Sequence, residues 1–188
     1  MAQAHDPQPE DADELSRLLA AAAAGDPEAW REVVRRYARR VFALAKSRCR
    51  NNEVAEEVTQ SVFATVAAKL GGGGYSERGR FEAWLFRVAM NRIRDQIRRR
   101  TRQRTPVDGA AALEDAAGSD TLPVDLSALR AAMDRLSEAD REVVELRHHA
   151  GMGFREMSEL LGEPLGTLLA RHHRALRKLR GLLQGDDA

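Results

Sequence analysis

The 188-residue chain is predicted to be all-α, folded as two small helical domains joined by a flexible linker. Three observations carry that expectation. Apolar residues recur with the period of a helix in segment after segment, and nothing alternates with the period of a strand. Aromatic residues make up only 5% of the chain while alanine, leucine and arginine abound, a balance that favours helix. The stretch TRQRTPVDGAAALEDAAGSDTLPV, residues 101–124, holds prolines, glycines and acids but few large apolar side chains, and reads as a linker.

The elements follow in order. Residues 1–14, acidic and polar, read as a disordered tail and as neither a signal nor a transit peptide. A first helix is expected from Glu14 to Ala24, where Gly25-Asp26-Pro27 breaks it, with Asp26 as N-cap and Pro27 opening the next helix. That second helix keeps Trp30, Val33, Val34, Tyr37, Val41, Leu44 and Ala45 at helical spacing to about Cys49, with Arg31, Arg35, Arg36, Arg39 and Arg40 on its other face. Asn51 or Asn52 caps a third helix, striped by Ala55, Val58, Val62, Phe63, Val66 and Leu70. Gly71 to Gly74, with Tyr75 and Ser76, cannot continue it. A fourth helix starts near Gly79 or Arg80, faces Phe81, Trp84, Leu85 and Val88 inward, and ends in Arg98, Arg99 and Arg100. Residues 15–104 thus form the first domain, 105–124 the linker and 125–188 the second domain.

In the second domain, Leu126, Leu129, Met133 and Leu136 share one helix stripe. Ser137 caps the next helix, with Asp140 three residues on, and that helix buries Val143, Val144 and Leu146. From Gly153 the chain reads GFREMSELLGEPLGTLLARHHRALR. Phe154, Met157, Leu160 and Leu161 lie on one helix face, Gly162 stops that helix, and Pro164 can open another. The last helix carries Arg171, His172, His173, Arg174, Arg177, Lys178 and Arg180. Two short helices joined by so tight a break form a helix-turn-helix, whose second member suits a DNA major groove. Arg171, His173 and Arg174 could reach one groove together, Arg177 extends the cationic run, and Thr167 can donate to a phosphate. The competing reading is that these cations solvate the outside of a bundle.

The net charge of +1 conceals a division along the chain. Residues 1–29 carry seven acids against one arginine, residues 30–104 carry 19 Lys and Arg against seven acids, and residues 105–140 carry eight acids against two arginines. A basic block between acidic flanks points to a polyanion partner. The run WLFRVAMNRIRDQIRRR adds Asn91, Arg94, Asp95 and Arg98 to a helix whose inner stripe is core, and the preceding glycine loop could admit an unstacked base. Glu56 and Glu57 on the third helix diverge and lack a nucleophile, so they suit a solvated or docking face better than acid–base chemistry. No catalytic triad, metal cluster or cofactor fingerprint is expected. His172 and His173 are helix neighbours that point apart, and the single cysteine, Cys49, allows no internal disulfide. Cations around Cys49 could lower its pKa, although a half-buried structural thiol is the plainer reading. No apolar run approaches the roughly 20 residues of a membrane span, and the chain reads as a cytoplasmic protein.

Three stretches, in this order, resemble an extracytoplasmic-function (ECF) sigma factor of bacterial RNA polymerase. VAEEVTQSVF is similar to the family's region 2.2, FEAWLFRVAMNRIRDQIRRR to its F-x-x-W-L and N-x-x-x-D-x-x-R-R run, and the segment from Leu136 to Arg180 to its fourth region. The resemblance implies a region 2 bundle and a region 4 helix-turn-helix in a non-catalytic subunit that binds core polymerase and promoter DNA without a cofactor. It implies that Glu56, Glu57, Gln60 and Phe63 dock on the clamp helices of the β′ subunit. It assigns Tyr75, Ser76, Arg80, Asn91, Arg94, Asp95 and Arg98 to melting and capturing the −10 element. It assigns Thr167, Arg171, His173, Arg174 and Arg177 to the −35 duplex. An anti-sigma partner is a further implication. Val54, Leu169 and Ala170 stand where the family usually has aspartate, lysine and serine. A helix-turn-helix regulator outside polymerase is the alternative, but it leaves the basic block unexplained. A helical nucleic-acid enzyme lacks any constellation of catalytic groups.

Overall fold

Backbone donors at helix starts fix where the elements begin. The computed structural model describes residues 9–73, 75, 80–103 and 124–185. Helix α1 (Pro9–Ala23) opens on a proline, which suits the first turn because its missing N–H has no partner there anyway. It begins five residues before the expected Glu14, so part of the acidic tail is helical. Helix α2 (Pro27–Cys49) is capped by Asp26, whose carboxylate accepts from the N–H groups of Glu28 and Ala29. It ends at Arg50 in the left-handed region, φ 56°, and Asn51 then caps α3 (Asn52–Gly71) by accepting from Val54 N–H at 2.9 Å. Helix α4 spans Phe81–Gln103. Residues 104–123, most of the expected linker, lie outside the described residues, as do Gly74 and Ser76.

The chain resumes with α5 (Val124–Asp134) and α6 (Glu138–His148), the latter capped by Ser137, which accepts from Asp140 N–H. Helix α7 (Phe154–Leu161) stops at Gly162, φ 70°, a left-handed position that glycine occupies without the penalty a side chain carries. Helix α8 (Leu165–Gln184) follows after three residues, Gly162 to Pro164. Among the described residues there are only helices, in two helical units, α1–α4 and α5–α8.

The apolar stripes of α2, α3 and α4 form the first core, with Val33, Val41, Leu44, Val62, Val66, Leu85, Phe86 and Ile93 fully buried. The expected inward set on α4 was incomplete. Phe86, Ala89, Met90 and Ile93 are buried as well, while Trp84 and Val88 are only half-buried. A correction falls on α5, where Leu126 and Leu129 are 40% and 37% exposed and Ala132 is the buried residue. Ala132, Leu136, Val144, Ala175 and Leu179 make a small separate core between α5, α6 and α8.

Two small helical domains are the expectation and both are present, with the main core running on from α4 into the second. Val143, Leu146, Ala150, Met152, Met157 and Leu168 of the second unit belong to the same apolar cluster as the α1–α4 core. Helix α7 lies on α4, and the start of α6 lies against the end of α2. The turn after α6 is pinned as well. Arg40 forks onto Glu82 at 2.8 and 2.6 Å and donates through Nε to the Ala150 carbonyl at 2.5 Å. Gly151 follows in the left-handed region, φ 66°, so the backbone can turn beside that guanidinium.

Leu44 has no exposed surface, so Leu44→Ala leaves a cavity in the shared core and should cost about 2–5 kcal/mol in urea denaturation. Leu183 on α8 is 47% exposed, and Leu183→Ala should stay within about 0.5 kcal/mol of the parent.

Candidate nucleic-acid interface

The second helix of the helix-turn-helix turns a polar edge to solvent because Leu168, Ala175 and Leu179 take the opposite side into the core. Thr167, His173, Arg174 and Arg177 are exposed along it, and Arg177 lies 3.3 Å from His173 Nδ1. Arg171 differs from these four. Its guanidinium is forked onto Glu163 in the α7–α8 turn at 2.9 and 2.6 Å, and its side chain is only 17% exposed. The bond to Glu163 raises the pKa of Arg171 above the usual arginine range.

The flank of α8 toward α6 holds an unexpected pair. His148 and His172 face each other Nε2 to Nε2 at 3.1 Å with stacked rings, while Phe154 meets His172 edge-on and Arg147 sits over Phe154. Burial, with Arg147 and the neighbouring histidines, pushes both imidazoles below their ordinary 6.5. One neutral ring then donates to the other. Among the described residues no three His, Cys, Asp or Glu side chains come together as a metal site would need.

In the first unit, Tyr75 packs against Trp84 at 4.5 Å and Phe81 at 5.8 Å, which ties its ring to an aromatic cluster at the start of α4. Ser76 lies outside the described residues. Arg80, Asn91, Arg94, Asp95 and Arg98 are all exposed on or beside α4. Two of them are engaged by the second unit: Arg94 donates to Glu142 at 2.6 Å, and Arg80 lies 3.8 Å from Glu159. Glu57 of α3 and Asp95 of α4 stand on the two walls of one cleft of about 160 Å³, shared with Ser61, Arg92, Gln96 and Arg99. Glu56, Glu57 and Gln60 form an exposed face. Phe63 does not belong to that face, because it is buried with its ring edge-on to Trp30, a packing role that the helical spacing alone also allows. Cys49 is half-buried, and desolvation raises its pKa despite Arg100 and Arg48, contrary to the lowering its cationic neighbours suggest.

Sequence reasoning missed the charged groups between the units. Glu145 is 1% exposed and Arg48 5% exposed in its side chain, and the two form an ion pair across the seam. Ser47 Oγ donates to Glu145 at 2.8 Å, and Arg141 reaches Glu145 at 2.9 Å from within α6. The available signal was a glutamate inside the apolar run Val143-Val144-Glu145-Leu146. Glu156 of α7 accepts from Gly153 N–H at 2.6 Å and faces Glu82 and Arg40. Burial and the Glu82 carboxylate push it up to about 7.

Comparison with known proteins decides what these surfaces belong to. The models for Sigma-70 region 2 and Sigma-70 region 4 match residues 33–103 and 126–179. The chain is 34% identical over 183 residues to the ECF RNA polymerase sigma factor SigE of Mycolicibacterium smegmatis, covering 93% of this chain and 70% of that protein. It is 33% identical to the sigma factor CarQ of Myxococcus xanthus over 165 residues, covering 85% and 91%. The chain belongs to the ECF RNA polymerase sigma factors. The sigma factor is therefore a transcription initiation factor, working with RNA polymerase on promoter DNA. Its architecture matches that of CnrH, from Cupriavidus metallidurans, solved with the cytosolic domain of CnrY, with a TM-score of 0.69 and 28% identity over 94% of this chain and all of that one. The fold is also that of RpoE from Bartonella quintana, solved with the anti-sigma factor NepR, at a TM-score of 0.62 and 23% identity over 82% of this chain and 96% of that one. No helix among the described residues is long and apolar enough to cross a membrane.

The packed state holds a proton on Glu156 up to about pH 7, whereas an opened or unfolded chain releases it near the ordinary 4.5. The α7 contact therefore weakens as pH rises through that window and levels off above it. Glu156→Gln keeps an acceptor for Gly153 and removes the titration. Its Tm should exceed the parent's at about pH 8, with the difference vanishing toward about pH 5 in a melting series.

Proposed function

We propose that this sigma factor directs polymerase to promoters by reading a −35 element as duplex and opening a −10 element as single strand. Helix α8 enters the major groove, with Arg174, Arg177 and His173 on bases or phosphates and Thr167 on a phosphate. Arg171 exchanges Glu163 for DNA. The loop carrying Tyr75 and Ser76, with Arg80, Asn91, Arg94, Asp95 and Arg98 along α4, holds the separated strand. Glu56, Glu57 and Gln60 face the β′ clamp helices. The unit boundaries follow the same reading: an acidic leader over 1–14, a region 2 domain over 15–104, a linker over 105–124 and a region 4 domain over 125–188.

The observation that carries this reading is the pairing of two cationic surfaces in one chain. One lies on a helix-turn-helix with a solvent-facing second helix, and the other along α4, where Tyr75 packs on Trp84. A regulator acting outside polymerase needs only the first. An anti-sigma partner is part of the proposal, supported by the likeness to CnrH, which was solved bound to the cytosolic domain of CnrY.

Adding the purified chain to core RNA polymerase should give promoter-specific run-off transcripts. No complex with core polymerase and no initiation at any promoter overturns the reading. Arg171→Ala should weaken −35 duplex binding by about 1–3 kcal/mol and relax selectivity at the contacted position, read by anisotropy against mutated duplexes.

A further inference from the structure

Four of the five histidines of the chain stand as two adjacent pairs, His148-His149 at the end of α6 and His172-His173 on α8. One member of each pair meets the other, His148 Nε2 to His172 Nε2 at 3.1 Å, with the ring planes 21° apart. His172 stands where an apolar residue is expected. Leu168, His172, Ala175 and Leu179 lie at i, i+4, i+7 and i+11, the row that α8 turns toward the core, and the other three are buried. A half-buried imidazole in that row needs a partner for its ring nitrogen, and His148 supplies it. The pair is also tied to the remaining helix of the motif. Phe154, the first residue of α7, meets His172 edge-on at 5.3 Å. Arg147 lies over Phe154 and donates to the Met152 carbonyl at 2.9 Å. One layer of side chains thus joins α6, α7 and α8.

We propose that His148 is a positioning residue for promoter reading: its bond to His172 sets the rotation of α8 about its axis, and so which base pairs the exposed side chains of that helix reach. This rests on the −35 reading above and adds a determinant of its specificity. The apolar contacts of Leu168, Ala175 and Leu179 hold α8 against the core, but they are non-directional and tolerate small rotations. An N–H···N bond is directional and weakens steeply as its angle closes. Each neutral imidazole has one donor and one acceptor nitrogen, so the contact also selects the tautomers: one ring carries its proton on Nε2 and the other on Nδ1. Thr167, Arg174 and Arg177 sit on the same helix as His172 and turn with it. A rotation of about 10° displaces groups at the helix surface, roughly 5–6 Å from the axis, by about 1 Å. A displacement of that size is enough to spoil a bidentate contact with a base edge.

The test uses the full chain assembled with core RNA polymerase, on a promoter that the parent chain transcribes and on templates each carrying one changed base pair in its −35 element. Run-off yields give the discrimination, which in the parent should be on the order of tenfold at contacted positions. His148→Phe keeps an aromatic ring and loses the nitrogen, and His172→Leu continues the apolar row. Both should cut the discrimination by about threefold or more. Their melting temperatures should stay within about 4 °C of the parent's, the size of one lost hydrogen bond. His148→Gln offers an amide in place of the ring nitrogen and should retain most of the discrimination. Ring-nitrogen NMR of the parent chain should find His148 and His172 in opposite tautomers. Full discrimination in either His148→Phe or His172→Leu overturns the proposal, as does a uniform loss on every template, which marks damage to the helix rather than to its aim. His148→Gln behaving no better than His148→Phe also overturns it, because ring packing and not the bond then matters, and so do two rings sharing one tautomer. A parent chain without promoter-specific run-off sinks the promoter-reading function and this role with it, whereas a selective parent beside equally selective variants sinks the positioning role alone.

Discussion

The Arg48–Glu145 pair is the contact on which the arrangement of the two units depends. Taking both charges out of water costs several kcal/mol per ion, and their mutual attraction offsets this only when both stay in place. Ser47, Glu138 and Arg141 fill in around them, so the end of α2 and the middle of α6 are fixed relative to each other. With α6 fixed, its following turn delivers Ala150 to Arg40, and α7 comes down on α4. The apolar residues Val143, Leu146, Met152 and Met157 then complete a core begun by α1–α4. Charge sets the geometry and apolar area supplies most of the attraction.

Helix content and termini were largely legible in the sequence because they depend on neighbours along the chain. Asp26, Ser137 and Gly162 act where spacing places them, since a cap is satisfied within three residues of itself. What could not be read was how the units meet. Leu126 and Leu129 have helical spacing and still face solvent, because periodicity says which residues share a face and not whether another element covers it. Phe63 shows the converse, since its position in a resembling motif could not say that Trp30 would cover it. The partners of Arg48, Arg80 and Arg94 lie on helices far along the chain, and no local rule links them.

The same limit applies to titration. A sequence scan sees cations around Cys49 and anticipates a low pKa, while burial raises it. It sees Glu156 as an ordinary surface acid of an amphipathic helix, while packing beside Glu82 lifts it to about 7. In both cases solvent exclusion outweighs, or is unanswered by, the charges nearby, and exclusion is a property of the packed molecule.

Under the proposed −35 reading, the Glu163–Arg171 fork sets what it costs to bring Arg171 to DNA. An arginine free in solvent greets any phosphate, so it adds to affinity everywhere along a duplex. Arg171 already has a bidentate acceptor of its own, so a contact with DNA has to replace both of those bonds. A guanine edge offers two acceptors in the matching fork, and so do the two free oxygens of a well-placed phosphate. On the proposed −35 reading, the turn between α7 and α8 discounts single-acceptor contacts and passes only those that answer both arms of the fork.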